Sequence, residues 1–371
     1  MTVDDFLKPG ILVLCGSDGV GKTTTSAAMA ARAAWREDLR VAVLTIDPAR
    51  RLANAMGLER LGNRMRKVNL EKVAGQGFAP RGTLHAGMLE AKSAWDDLIV
   101  QRAGSPALAE SIMDNPFYKE ISGAFVGSHE YIAMERVYDL WGSEKYDLIV
   151  LDTPPSRNAL DFLEAPARMT ELVSGGLLGM LARPGAFAGK IGLRMFSLTA
   201  KPIMGIADRL LGGSTLTELS EFLMSIEGLY EGFKQRAEAV YELLGDRTTT
   251  FMVVTTLEDV PFEEARFFVE KLKEANMHLG GAVINKVLPQ FLVDVSAANL
   301  ARRLVERSAP GERLLAENYL DLRTLAMRDK DLLARVEDLG IPVLGTVPRM
   351  GEPVNDLKGL LEVGDLLAAN G

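Results

Sequence analysis

Near the N-terminus the run Gly16-Ser17-Asp18-Gly19-Val20-Gly21-Lys22-Thr23 fits the pattern G-x-x-x-x-G-K-[ST]. In such a loop the glycines let the backbone curl until successive N–H groups converge on phosphate oxygens, and the helix that follows adds positive potential. Lys22 is placed to reach the β- and γ-phosphates and the Thr23 hydroxyl to ligate Mg²⁺, with Thr24 counted among the nucleotide-binding residues. The required order of strand, loop and helix is present, because the apolar run Ile11–Cys15 precedes the loop and a helix-forming stretch from Lys22 to Trp35 follows it. The glycines follow G-x-x-G-x-G spacing, which disfavours a dinucleotide site. The loop therefore predicts a nucleoside triphosphate with Mg²⁺.

Two carboxylates stand at strand ends where phosphoryl transfer would use them. Tyr146-Asp147-Leu148-Ile149-Val150-Leu151 runs into Asp152, followed by Thr153-Pro154-Pro155. A carboxylate there suits a Mg²⁺ partner, although a helix or turn cap would also place an Asp at such a position. Asp47, in Thr45-Ile46-Asp47-Pro48-Ala49-Arg50, fits two roles that can hold together. It can cap a helix that has Pro48 at its first position, or face the γ-phosphate and orient the attacking water.

The elements that must carry these residues are short apolar runs bounded by turn residues, at Ile11–Cys15, Val41–Ile46, Asp147–Leu151, Phe251–Thr256, Gly281–Ile284 and Ile341–Val347. They read as buried parallel strands separated by amphipathic or alanine-rich helical stretches. The expected fold class is α/β, a P-loop NTPase with a mostly parallel sheet and helices on both faces. Residues 1–371 are expected to form a single domain carrying two helical insertions, at 89–145 and 159–245.

Composition narrows the function. The 371 residues are 47% hydrophobic and 25% charged, an ordinary globular mixture. The 42 basic and 50 acidic side chains leave a net charge of −8, which argues against nucleic acid as the main partner. A lone cysteine forms no internal disulfide, and the acidic Met1-Thr-Val-Asp-Asp start lacks the basic region of an export signal, so a cytoplasmic setting is expected. No run of about 18 apolar residues occurs, so no transmembrane segment is expected.

The second insertion contains Met169, Met180, Met195, Met204 and Met224 among Leu, Ile and Phe. Flexible thioethers suit a groove that accepts varied apolar helices, while methionines at helical spacing also serve as ordinary core. Arg50, Arg51, Arg60, Arg64, Arg66, Lys67 and Lys72 form a basic cluster, read as a solvated helical surface. His129 has no second ligand at helical spacing and is given no role.

Taken together, the Gly-Val-Gly-Lys-Thr-Thr loop, the Asp-Pro-Ala segment and the Asp-Thr-x-Pro segment resemble the arsenite-pump and tail-anchored-protein-targeting ATPase family, of the deviant Walker A class. The likeness extends over nearly the whole chain. It implies a dimeric ATPase that opens and closes with nucleotide state, with Asp47 as the carboxylate that activates water and Asp152 at the start of the second switch. It also implies that Asn285 contacts adenine and that Pro348 lies in a loop packing near the base. A physical check agrees with ATP: guanine sites typically use N-K-x-D, and here the fourth position is Leu288, which would leave two ring N–H groups unpaired.

The sequence departs from that family at three places. Ser17 stands where the class carries a lysine that crosses the dimer interface, and Asp18 replaces a nearby glycine. Another basic residue could substitute, hydrolysis could be slow, or the chain could pair with a paralogue that donates the lysine. The zinc-clamping Cys-x-x-Cys is absent, and Cys15 alone cannot supply the several thiolates that As(III) prefers. The expectation is thus a homodimer, or a heterodimer with a related ATPase, with a hydrophobic membrane-protein client as a candidate partner.

Overall fold

The computed structural model describes residues 2–46, 51–58, 62–73, 79–116, 118–119, 128–153, 225, 230–307, 309–338 and 340–369. The chain divides into two compact units, one of Met1–Met88, Ser143–Ala159 and Asp246–Gly371, the other of Leu89–Gly142 and Leu160–Gly245.

The first unit is built on an eight-stranded sheet: β1 (Gly10–Cys15), β2 (Arg40–Thr45), β3 (Arg66–Lys67), β4 (Thr83–Met88), β5 (Leu148–Asp152), β6 (Thr249–Thr255), β7 (Leu279–Val287) and β8 (Val343–Pro348). Their order across the sheet is β3-β4-β2-β5-β1-β6-β7-β8. Every pairing is parallel except β3 with β4. β1, β5 and β6 are buried along their whole length, as expected of central strands covered on both faces, and their sequences are nearly continuous apolar runs for that reason. From β1 the chain crosses beyond β5 to β2, whereas β6 lies on the opposite side of β1. At such a switch in direction, sheets of this kind usually carry their ligand crevice, at the C-terminal ends of the central strands.

Helix α1 (Lys22–Arg36) is buried on almost every side, with Ala27, Ala28, Met29, Ala30, Ala31, Ala33 and Ala34 all in the core. Its small side chains let it sit between the sheet and the C-terminal helix at Leu357–Ala369, whose Leu360, Val363 and Leu367 join the same core. Between β7 and β8 lie a helix at Val295–Arg307 and a long helix at Pro310–Asp338, which pack on each other.

The six expected strands are all present, with ends shifted by a few residues at most. The structure adds β3 and β4. Arg66 and Lys67 therefore belong to an antiparallel edge strand, paired with Ala86 and His85, and not to the helical surface expected of the basic cluster. Pairing satisfies backbone groups at the sheet edge while both cationic side chains stay in water.

In the second unit the described helices are Ala91–Arg102, Pro106–Asp114, Ser128–Gly142 and Tyr230–Gly245. Trp95, Ile99, Ile112, Tyr131, Met134 and Val240 are among its buried side chains. A polar group lies within this apolar setting: Arg236 donates to Glu135 at 2.7 Å and to Asp139, and the Tyr131 hydroxyl donates to the other Glu135 oxygen. The Arg236 guanidinium also lies 3.9 Å from the centre of the Tyr138 ring. Met169, Met180, Met195, Met204 and Met224 lie outside the described residues.

Candidate nucleotide-binding site

The loop Gly16–Gly21 joins β1 to α1 at the crevice. Its backbone requires glycine at both ends. A Cβ on Gly16 would come within 2.1 Å of the Val254 carbonyl oxygen, and Gly21 has φ 97°, with space for a Cβ only 2.2 Å from the Asn285 side-chain nitrogen. The loop thus packs closely against Val254 of β6 and Asn285 of β7, and that fit requires residues without a Cβ.

Lys22 is only 7% exposed, and its Nζ donates to the carbonyls of Gly16 at 2.8 Å and Ser17 at 2.6 Å. The ammonium therefore bridges the ascending limb of the loop, close to where phosphate charge would sit. Thr23 follows on the first turn of α1, and its Oγ1 donates to Asp152 Oδ2 at 2.7 Å. Thr45, at the end of β2, donates to that same oxygen, also at 2.7 Å. Parallel register explains the meeting: Asp152 is level with Leu14 on β1 and with Thr45 on β2. The carboxylate is 1% exposed, so two hydroxyl donors hold it where burial alone would be costly.

Asn285 and Pro348 lie on adjacent strands, β7 and β8, where Val287 is level with Pro348. The Asn285 side chain donates to the Val20 carbonyl at 2.7 Å and accepts from the Lys286 N–H at 2.8 Å. Lys286 itself was not singled out by the sequence, yet its Nζ donates to the Gly19 carbonyl at 2.7 Å. Its position directly after Asn285 was the available signal. Asp47 lies outside the described residues, although the strand leading to it ends beside Asp152. Val20 is buried, Asp18 and Gly19 are exposed, and Thr24 is partly buried on the first turn of α1.

Two departures noted in the sequence acquire a physical setting. Ser17 is 8% exposed, and its hydroxyl has no hydrogen-bond partner among the described residues. It is a short inward side chain, unlike a lysine that reaches outward. The Cys15 thiol is buried at the end of β1, and burial pushes its pKa up to about 12, so it stays protonated at neutral pH and is a poor thiolate ligand.

The donor set suits a hard divalent cation. Thr23 offers a hydroxyl and Asp152 a carboxylate, both oxygen ligands, side by side at the foot of the loop. These residues fit Mg²⁺ better than a soft metal, and no cluster of three or more His, Cys, Asp or Glu side chains suited to a metal occurs among the described residues.

Residues 10–309 match the model of the anion-transporting ATPase family. The chain is 25% identical to an ATPase named GET3 from Lachancea thermotolerans over 301 residues, covering 79% of this chain and 75% of the relative. It is 26% identical over 321 residues to an arsenical pump-driving ATPase from Aquifex aeolicus, covering 84% and 90% of the two chains. A GET3 ATPase from Malassezia globosa is 26% identical over 302 residues, covering 77% and 78%. The phosphate loop at the sheet's crevice, the threonine–aspartate pair beneath it and a family match spanning most of the sequence lead to one conclusion: this chain belongs to the anion-transporting ATPase family and is an ATPase.

Proposed function

We propose that the chain is a Mg²⁺-dependent molecular switch that couples ATP hydrolysis to the relation between two subunits and, through it, to binding and release of a hydrophobic client. The observation that carries the switch is the meeting of Thr23 from the loop and Thr45 from β2 on one Asp152 oxygen. A change at the phosphates is thereby linked to the strand that leads to Asp47 and to the segment that follows Asp152.

In this reading the loop amides and Lys22 hold the phosphates, Thr23 and Asp152 hold the metal, and Asp47 orients the attacking water. Bound Mg²⁺ would neutralise charge on the β- and γ-phosphates. Lys22 would exchange its loop carbonyls for phosphate oxygens as the nucleotide enters. Asn285 favours adenine for a definite reason. With one amide hydrogen given to Val20 and one lone pair to Lys286, it retains a donor and an acceptor, the complement of the adenine N7 and N6–H edge. Guanine presents two acceptors on that edge. Pro348 on the adjacent strand would border the base.

Turnover of ATP by purified protein, compared with Asp47→Asn, tests the catalytic assignment. Binding should persist while hydrolysis falls by about 100-fold or more; unchanged turnover would remove Asp47 from the mechanism. The client is proposed from the Met-rich sequence at 159–245 and would be an apolar helix such as the membrane segment of a tail-anchored protein. Retention of such a peptide should differ among nucleotide-free, ADP and ATP states, and equal retention in all three would refute it.

A second reading has its own support. The buried Ser17 supplies no cation to a partner's phosphates, so a homodimer would lack that charge at both sites. A heterodimer with a lysine-bearing relative would restore it at one. Native mass measurement of the complex from its own cells distinguishes these arrangements by subunit composition.

A further inference from the structure

The two side chains that reach the phosphate loop from β7 act on successive peptide units. Lys286 Nζ donates to the Gly19 carbonyl at 2.7 Å, and Asn285 donates to the Val20 carbonyl at 2.7 Å. A trans peptide is planar, so its carbonyl and the N–H of the next residue point to opposite sides. Holding the Gly19 carbonyl toward Lys286 therefore turns the Val20 N–H the other way. Holding the Val20 carbonyl toward Asn285 does the same for the Gly21 N–H. Adjacent amides fixed in this manner form the concave donor array that receives an anion.

Lys286 is kept in position at a conformational cost. Its backbone has φ 58°, a left-handed value that a lysine seldom adopts, and the Asn285 side-chain oxygen secures its N–H at 2.8 Å. The side chain is exposed at the surface, so no burial requirement places its ammonium on the loop. Strain retained at an exposed residue, together with a charged donor on a loop carbonyl, marks a functional constraint.

We infer that Lys286 is a positioning residue for phosphate binding: it orients the Val20 amide before the nucleotide arrives, working as a pair with Asn285. The inference rests on the nucleotide-binding reading above and adds that the phosphate cradle is set from β7 as well as by its own glycines. Lys286 need not touch the nucleotide.

Calorimetry with two probes, Mg²⁺–ADP and inorganic tripolyphosphate, tests this on the full chain. Lys286→Met keeps the aliphatic stem and removes the ammonium. It should weaken both probes by about tenfold, the size of one charge-assisted hydrogen bond partly screened by water. Lys286→Arg should restore both to within about threefold. Lys286→Gly should lose affinity as the methionine variant does, yet resist urea at least as well as wild type, because glycine relieves the positive φ. That result separates a binding role from a folding role. Unchanged tripolyphosphate affinity in Lys286→Met, a loss confined to ADP, or full affinity in Lys286→Gly would each overturn the inference while leaving the nucleotide site standing. Failure of wild type to bind either probe or ATP would overturn the site itself and this role with it.

Discussion

Asp152 accepts two hydroxyls on a single oxygen, and that shared acceptor joins the phosphate loop to β2. Asp152→Asn keeps the volume but removes the charge, so ATP turnover should fall by about 100-fold or more while the protein still folds; near-normal turnover in a steady-state assay would contradict the metal role proposed for it. Cys15 offers a test of a different kind. Because burial pushes its pKa up to about 12, native protein at pH 8 should resist iodoacetamide and become reactive only in denaturant, as mass spectrometry would show. Much of this scale was legible in the sequence. The loop pattern names its own residues, and Asp152 stands at the end of an apolar strand. The place of Lys286 beside Asn285 was a signal, but its contact with Gly19 was not legible, because it depends on a positive φ and on long-range packing of β7 against the loop. Asp47 keeps the role proposed for it, and it lies outside the described residues.

At the scale of elements, strands with consecutive Val, Ile and Leu announced themselves, whereas β4 reads Thr-Leu-His-Ala-Gly-Met and carries no such run. β3 is two residues long and formed by cations, so its only cause is the edge that it pairs with. The helix at Pro310–Asp338 fits the expected alternation of strands and helices, although its length was not foreseen. Helix α1 and the termini are tied by Arg32, which donates to both Asp4 oxygens at 2.7 Å and also to Asp365. The hydrogen bond from Arg32 holds the Asp4 carboxyl below its ordinary range. The native state thus binds fewer protons than the unfolded chain in mild acid, so this contribution is present above the ordinary carboxylate pKa and is lost as pH falls through the native value. Asp4→Asn should make acid unfolding less steep and lower neutral stability by no more than about 1 kcal/mol, because Asp4 is half-exposed. In the second unit, Arg236→Ala strands the buried Glu135 carboxylate and should cost about 3 kcal/mol in urea unfolding. A loss below about 1 kcal/mol would show that water or another cation already compensates Glu135.

For the whole molecule, the sheet brings residues far apart in sequence to one edge: the loop after β1, Thr45, Asp152 and the Asn285-Lys286 pair. The candidate phosphate site lies in the sheet-bearing unit, and the described elements of the other unit are helices. The proposed function couples hydrolysis to the relation between two subunits, and ATP should alter the mass of the native complex or the ratio of its subunits, as native mass spectrometry with and without nucleotide would reveal. The expectations about turnover, phosphate binding and assembly depend on occupancy of the crevice by ATP. Isothermal titration of folded protein with ATP and Mg²⁺ measures that directly. Saturable heat that vanishes when Lys22 is replaced by Ala is the result expected; no heat with ATP from protein shown to be folded, alone or with its natural partner, would contradict the account.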